Sequence, residues 1–210
     1  MDTLYYMPGA ASFVVHWLLL ETGAAHELRR VDAERGEHKQ ASYLALNPNG
    51  LVPVLICDGR PVYEAAALAL LPAERHPEAA LAPPPGTPAR VLYLQWMLHL
   101  ANTLQPAFRN WFFPDEAAGT EHAALVQEHA RGRIEAAFDR LETHLAAQGP
   151  WIAGAAPTAV DFHAAMLARW SRNMPRPATT WPALGRLVAA LKARPSFRLL
   201  NGREGLTEWT

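Results

Sequence analysis

Residues 46–55 read LNPNGLVPVL, and this stretch decides the fold. From Leu51 its apolar part continues to Cys57, which predicts a short strand. A second apolar run, at residues 61–63, follows the dipeptide Asp58-Gly59. Asp-Gly is a hairpin signal, so the two runs are predicted to be neighbouring strands joined by a tight turn.

The sequence before this hairpin alternates between strand and helix signals. Residues 3–7 are short, β-branched or aromatic and end at Pro8-Gly9, which predicts a strand followed by a turn. Ser12 is predicted to cap a helix that Gly23 ends, because apolar residues recur between them at helical spacing. A second strand is predicted for residues 27–31, after which residues 32–40 are polar and read as a loop.

A further helix is predicted after the hairpin. Residues 64–76 are rich in Ala and Leu, although Pro72 lies inside the run. Proline removes a backbone donor, so we expect it to kink or shorten this helix. With one or two helical turns at residues 42–46, the first half reads β-α-β-(α)-β-β-α.

A proline-rich segment divides the chain. Residues 82–88 read APPPGTP and cannot continue a helix or a central strand. We expect a stiff linker at residues 79–87, between a first domain at 1–78 and a second at 88–210. The second domain is predicted to be helical throughout, with helices at 89–113, 121–148, 158–173 and 181–193 and a short tail helix.

One of these helices has a clear start signal. Thr158 and Asp161 have the spacing of a capping box, in which the acidic side chain reaches back to the capping residue. Pro157 and Phe162 occupy the hydrophobic staple positions. A helix is therefore predicted to begin at Thr158.

Composition excludes several classes of protein. The chain has 210 residues and a formal net charge of -1, and no run of Lys and Arg is present. A nucleic-acid-binding protein would carry a basic excess, so we expect no nucleic-acid partner. The nine histidines lack the spacing of a zinc-binding helix, and no metal is expected.

The cysteine count and the N-terminus bear on location. The single Cys57 cannot form an internal disulfide, which favours a reducing compartment. Residues 1–3 lack a basic leader pattern, and no apolar stretch reaches the roughly 20 residues needed to cross a bilayer. We expect a cytoplasmic protein without a membrane partner.

Taken together, these segments resemble the cytosolic glutathione transferases, and most closely the bacterial beta-class-like members. The resemblance is carried, in the family's order and near its spacing, by residues 4–10, 46–55, 64, 73–77 and 158–161. It implies a thioredoxin-like α/β domain followed by an all-helical domain, paired as a homodimer. It also implies glutathione as co-substrate, whose thiol is conjugated to an apolar electrophile.

The resemblance implies a glutathione site in the first domain. The cysteinyl part of glutathione would pair with the main chain of Val52, just before a cis bond to Pro53. The γ-glutamyl ammonium would meet Glu64, and its carboxylate would meet the helix N-terminus at Ala65. Many family members have serine at the position of Ala65, so one hydrogen bond is lost. The glycyl carboxylate needs a cation, for which the candidates are His38 and Lys39.

The chain departs from the family at the residues that activate the thiol. Beta-class-like members place a cysteine where this chain has Ala11, and serine-type members place a serine where it has Ala10. Ala11 is therefore expected to contact glutathione without activating it. Ser12 is the nearest hydroxyl, and Tyr6 lies near the position of the tyrosine-type donor, so these two are the catalytic candidates. A non-catalytic protein that binds glutathione or an apolar ligand is the alternative.

The resemblance also implies an apolar pocket in the helical domain for the second substrate. Beta-class-like members offer an asparagine and a histidine to the thiol region from positions that hold Leu98 and Gln105 here. Gln105 can still form hydrogen bonds. Aromatic side chains that could wall the pocket are Phe108, Trp111 and Trp170.

Overall fold

A computed structural model describes residues 1–209 and contains one mixed four-stranded sheet. The strands are β1 (Asp2–Tyr6), β2 (His26–Arg30), β3 (Val54–Cys57) and β4 (Arg60–Tyr63). They lie in the order β2-β1-β3-β4, with β1 parallel to β2 and antiparallel to β3. The β3–β4 pair is the antiparallel hairpin predicted around Asp58-Gly59.

Helices make up most of the remaining chain. In chain order they are α1 (Ser12–Thr22), α2 (Ala41–Leu44), α3 (Ala65–Arg75), α4 (Pro88–His99), α5 (Gln105–Phe112), α6 (Asp115–Gln148), α7 (Ala159–Trp170), α8 (Pro182–Lys192) and α9 (Pro195–Glu204). A π-helical turn, Leu100–Leu104, joins α4 to α5. Within α6, Ala118 and Gly119 leave helical dihedral angles and kink the helix.

The chain divides into two compact units. One unit contains Met1–Ala82 together with the chain from Leu191 onward, and the other contains Pro83–Ala190. From the sequence, the second domain was predicted to continue to residue 210. The difference arises because α9 packs against α1, so the C-terminal segment completes the core of the first unit.

Buried polar contacts join α9 to the start of the first unit. The Glu204 carboxylate accepts hydrogen bonds from the Gly9 N–H, at 2.7 Å, and from His16 Nδ1, at 2.9 Å. The Trp17 indole N–H donates to the Ser196 hydroxyl at 3.0 Å. These contacts span more than 170 residues of sequence, and no local pattern predicts them.

Each unit is built around one buried helix. In α1, residues 12–19 are buried all round, because the helix packs against the sheet, α3 and α9. In α7, residues 159–169 are buried, and the capping box predicted at Thr158 and Asp161 is present. The Asp161 carboxylate also accepts from the Ile152 N–H at 2.8 Å.

Two local expectations differ from the structure. Ser12 is the first residue of α1 and Ala11 is the N-cap, because the Ser12 side chain turns back to Met7 instead of capping the helix. Pro72 lies inside α3, yet the helix continues to Arg75. Among residues 1–209, no helix is both long and apolar enough to cross a bilayer.

Candidate functional site

The loop before β3 is held in place by side-chain hydrogen bonds. The Leu51 carbonyl accepts from the Tyr43 hydroxyl at 2.9 Å and from Asn47 Nδ2 at 2.7 Å. Val52 follows directly, and its peptide bond to Pro53 is cis, as the resemblance implied. The buried side chains of Tyr43 and Asn47 therefore fix the main chain on the N-terminal side of this bond.

The main-chain N–H and C=O groups of Val52 are available for pairing with a ligand. It lies just outside the ladder of β3, which pairs from Val54 onward. Its N–H and C=O form no hydrogen bond with any residue from 1 to 209. An extended peptide can pair with such a segment through main-chain hydrogen bonds.

Glu64 lies at the N-terminus of α3 in an unusual conformation. Its φ of 79° and ψ of 107° lie in a region that side-chain-bearing residues rarely adopt, at a cost of about 1–3 kcal/mol. Its side chain is exposed and makes no capping hydrogen bond. Ala65, the first residue of α3, is buried, and the N–H groups of a helix's first turn have no partner within the helix and favour anions.

The predicted cationic pair lies in a short 3-10 helix, Glu37–Lys39. Lys39 Nζ donates to the Gly50 carbonyl at 3.2 Å, so the lysine spans the gap to the loop that carries Val52. Gly50 allows this approach, because its φ is 60° and a Cβ there would lie 2.8 Å from the His38 carbonyl oxygen. One ammonium N–H of Lys39 is thereby committed, and two remain.

Both predicted catalytic hydroxyl groups belong to buried side chains. Ser12 Oγ accepts from the Met7 N–H at 3.2 Å and donates to the Met7 carbonyl at 3.1 Å. The Ser12 side chain is fully buried, so its hydroxyl proton is not offered to a ligand. Tyr6 is 8% exposed, and its ring packs 6.1 Å from the ring of His16. The Ser12 hydroxyl is directed to the main chain of Met7, and catalytic roles for Ser12 and Tyr6 stay predictions.

Main-chain donors remain at the start of α1. The N–H groups of Ala11 and Ser12 have no acceptor among residues 1–209. Ala11 is half-buried. The first turn of α1 therefore supplies two N–H groups and the positive end of a helix dipole.

In the second unit, Gln105 is tied to a buried histidine that the sequence analysis did not single out. Gln105 Oε1 lies 2.9 Å from His163 Nε2, and His163 Nδ1 lies 3.1 Å from Met97 Sδ. Burial lowers the pKa of His163 to about 4, so its ring is neutral at physiological pH. In the sequence, a histidine within an apolar helix is typical of a core residue. Only the tertiary contact with Gln105 indicates that His163 also has a polar role.

The predicted aromatic wall differs from the structure in its members. Phe108 is fully buried and packs against Phe138 and Trp170, so it supports the surface without lining it. Phe112, which belongs to the same run of aromatic residues in the sequence, is 45% exposed and packs 6.1 Å from the half-buried Trp170. Trp111 is half-buried on a different face of α5 from Gln105.

No group of metal-binding side chains occurs within residues 1–209. The polar groups of both regions can form hydrogen bonds with an organic ligand. The first unit offers an edge of main chain, two helix N-termini and an exposed carboxylate. The second offers one amide beside exposed and half-buried aromatic rings.

Comparisons with known proteins match two domain models to the chain. Residues 10–71 match the family model of the glutathione S-transferase N-terminal domain, and residues 116–210 match that of the C-terminal domain. Glutathione S-transferase GST-4.5 of Xanthomonas campestris is 30% identical over 81% of this chain and 82% of its own length. A beta-class glutathione S-transferase of Sphingomonas chungbukensis is 29% identical with a TM-score of 0.84, covering 98% of this chain and 100% of its own. A sphingomonad glutathione S-transferase complexed with glutathione gives the same values.

Proposed function

The chain belongs to the glutathione S-transferase family, and from this premise we propose that its first unit binds glutathione and stabilises the thiolate with main-chain N–H groups. The protein is a transferase that conjugates the glutathione thiol to a second substrate. The relatives are named as transferases, which does not favour the non-catalytic alternative. An apolar electrophile is the second substrate in this proposal.

The unpaired main chain of Val52 carries the binding proposal. The cysteinyl residue of glutathione has one N–H and one C=O, which match the free C=O and N–H of Val52. Glu64 would accept from the γ-glutamyl ammonium, and the N–H groups at Ala65 would hold the γ-glutamyl carboxylate. Lys39 would meet the glycyl carboxylate with its remaining N–H groups, with His38 beside it.

Thiolate stabilisation is assigned to the N–H groups of Ala11 and Ser12. The thiolate is the nucleophile, so the protein must lower the thiol pKa towards neutrality. Main-chain donors at a helix start can do this without a side-chain hydroxyl, because both the hydrogen bonds and the helix dipole favour the anion. The sulfur then attacks the electrophile, and a leaving group departs or a proton is taken up.

Calorimetric titration with glutathione tests the binding proposal. Glu64→Ala should weaken binding about tenfold, the effect of losing a hydrogen bond to a charged group. Glu27→Ala, which removes another exposed acid of the first unit, is the matched control and should bind like the wild type. Glutathione methylated on its cysteinyl nitrogen should also bind more weakly, because it cannot donate to the Val52 carbonyl. Equal affinities for both peptides would overturn the main-chain pairing.

A homodimer and a cytoplasmic location are part of the proposal. Val91, Leu94 and Leu98 lie on one face of α4 and are 64%, 38% and 57% exposed, which favours a covered apolar surface. Sedimentation should give twice the mass of the 23.1 kDa chain at micromolar concentration. A stable monomer would contradict the dimer and leave the binding proposal standing.

A further inference from the structure

The loop that carries Val52 contains a dipeptide with a reaction of its own. The chain has two Asn-Gly dipeptides, Asn49-Gly50 and Asn201-Gly202, and both belong to the first unit. In such a dipeptide the glycine main-chain nitrogen can attack the asparagine side chain, because glycine has no Cβ to hinder the approach and its backbone adopts many conformations. The same dipeptide in two settings therefore allows a direct comparison.

The two asparagines differ in their surroundings. Asn49 is exposed, and its side-chain amide has no hydrogen-bond partner among residues 1–209. Asn201 is 6% exposed and lies inside α9, where helical hydrogen bonds hold the main chain. An exposed side chain can turn towards the next main-chain nitrogen, whereas a residue inside a buried helix can do so only after the helix opens locally. Asn49 is therefore the more reactive of the two.

The turn before Val52 controls access to the Gly50 nitrogen. In the folded loop the Gly50 N–H donates to the Asn47 carbonyl at 2.9 Å, and Asn47 Oδ1 accepts from the Asn49 N–H at 3.0 Å. Attack by the Gly50 nitrogen requires this turn to open, so the rate depends on the fraction of molecules in which the turn is open. A ligand that pairs with Val52 would hold the turn closed.

We propose that Asn49 is a site of spontaneous deamidation and that the isoaspartyl product disables the adjacent glutathione site. The Gly50 nitrogen forms a bond to the side-chain carbonyl carbon of Asn49, and the side-chain amide leaves as ammonia with the proton that the Gly50 nitrogen gives up. Water then opens the resulting succinimide. Attack at the side-chain carbonyl gives aspartate. Attack at the main-chain carbonyl gives isoaspartate, in which the main chain runs through Cβ and Cγ.

The close packing of Gly50 makes the isoaspartyl product disruptive. Isoaspartate adds one atom to the main chain directly before Gly50. No space exists for it there, since a Cβ on Gly50 would already lie 2.8 Å from the His38 carbonyl oxygen and 3.1 Å from Lys39 Nζ. The added atom must displace the loop, including the Leu51 carbonyl and the two side-chain hydrogen bonds that it accepts.

Displacement of the loop moves the main chain of Val52, which follows Leu51 directly. The two hydrogen bonds proposed between Val52 and the cysteinyl residue of glutathione are then lost. This consequence for binding rests on the proposed function. The deamidation itself depends only on the exposure of Asn49 and on the opening of the turn.

Mass spectrometry of peptides from the whole protein, after incubation in warm, mildly alkaline buffer, tests the reaction. Deamidation adds one mass unit and should accumulate at least about tenfold faster at Asn49 than at Asn201, since a buried helix opens more rarely than a loop. S-methylglutathione, which has the cysteinyl main chain and no thiol, should slow the reaction at Asn49 by holding the turn closed. Asn49→Gln, whose longer side chain cyclises much more slowly, is the control and should gain no mass at this position.

Calorimetry with glutathione on the incubated protein tests the consequence. Protein with isoaspartate at this position should bind about tenfold more weakly than fresh protein, the effect of losing main-chain hydrogen bonds. Asn49→Asp has the new charge and a normal main chain, and it should bind within about threefold of wild type, because an exposed charge contributes little. Protein isoaspartyl methyltransferase, which returns isoaspartate to aspartate, should restore the affinity to that of Asn49→Asp. Incubated Asn49→Gln should bind like the fresh variant.

Two results would overturn the inference. One is conversion at Asn49 no faster than at Asn201, under conditions in which a synthetic peptide of residues 46–55 converts completely. The other is isoaspartyl protein that binds glutathione as tightly as Asn49→Asp. Fresh protein that does not bind glutathione would overturn the proposed function and the effect on affinity with it, whereas the mass measurement would still decide whether Asn49 deamidates.

Discussion

The first unit offers its ligand-binding groups mainly through the main chain, whereas the second unit offers them through side chains. Val52 and the starts of α1 and α3 supply N–H and C=O groups that no substitution short of proline removes. In the second unit, the amide of Gln105 depends on the ring of His163. Alanine at positions 10, 11 and 65 deletes side-chain donors and no main-chain donor, so the first unit tolerates the loss.

The largest expected effect is the loss of stability when one buried side chain of the second unit is removed. Asp161 is fully buried and accepts from the N–H groups of Ile152 and Thr158 and from the Thr158 hydroxyl. Asp161→Ala leaves two buried N–H groups without an acceptor, so the free energy of unfolding should fall by about 3–5 kcal/mol. Urea unfolding measures this change in the free energy of unfolding. Thr158→Ala, the control, should cost only about 1 kcal/mol, and equal losses would refute the role of the carboxylate.

The next effect is a pH dependence that the buried histidine gives to the second unit. Burial lowers the pKa of His163 from about 6.5 to about 4. The unfolded chain therefore binds the proton first, so stability present above pH 6.5 is lost as the pH falls towards 4. The loss is on the order of 3 kcal/mol. Asp161, whose pKa burial raises to about 6, opposes it, because its contribution is present below about 3.8 and is lost as the pH rises through 6.

Comparing unfolding at pH 6.5 and pH 4 in wild type and His163→Phe isolates the histidine. The variant should gain stability relative to wild type on acidification, since only the opposing Asp161 contribution remains of this pair. Parallel curves for the two proteins would show that His163 does not titrate in this range. The first unit provides the internal contrast, because the donors proposed to stabilise the thiolate are main-chain N–H groups, which carry no charge to titrate.

The smallest expected effect is on the thiol pKa of bound glutathione, which tests the main-chain donors of the first unit. Ser12→Ala should leave the thiol pKa of bound glutathione within about 0.2 of the wild-type value, because the hydroxyl already bonds Met7. Ala11→Pro removes one main-chain donor at a φ of -63° that proline adopts, and should raise that pKa by up to about 1. The ultraviolet thiolate band followed against pH measures both. A raised pKa in Ser12→Ala alone would return the role to the hydroxyl.

Local signals in the sequence predicted the parts of the fold that local forces set. The hairpin at Asp58-Gly59 and the capping box at Thr158 each depend on residues within a few positions of one another. The resemblance, not spacing, suggested the cis bond before Pro53, which the structure contains. The sequence did not predict that the C-terminal segment belongs to the first unit, because this depends on pairs such as His16 and Glu204, which are 188 residues apart.

The candidate site was less predictable than the fold. The sequence does not show which way a side chain points. The Ser12 hydroxyl faces Met7, and Phe108 lies in the core while Phe112 is exposed. His163 was missed because a lone histidine among apolar residues gives no signal until the chain brings Gln105 within 2.9 Å. Backbone conformation at Glu64 likewise depends on how β4 meets α3, and the residue type alone does not indicate it.

The bond from Glu204 to Gly9 and His16 has a consequence for the order in which a newly synthesised chain is finished. The ribosome releases the four strands and α1 long before residue 204 emerges. During that interval α1 lacks the helix that covers it, and His16 lacks its buried acceptor. Residues 83–190 are contiguous, so all of their unit has been synthesised before residue 191 is added. The unit that is translated first is therefore completed last, and nascent chains halted before residue 195 should expose α1 to chaperones.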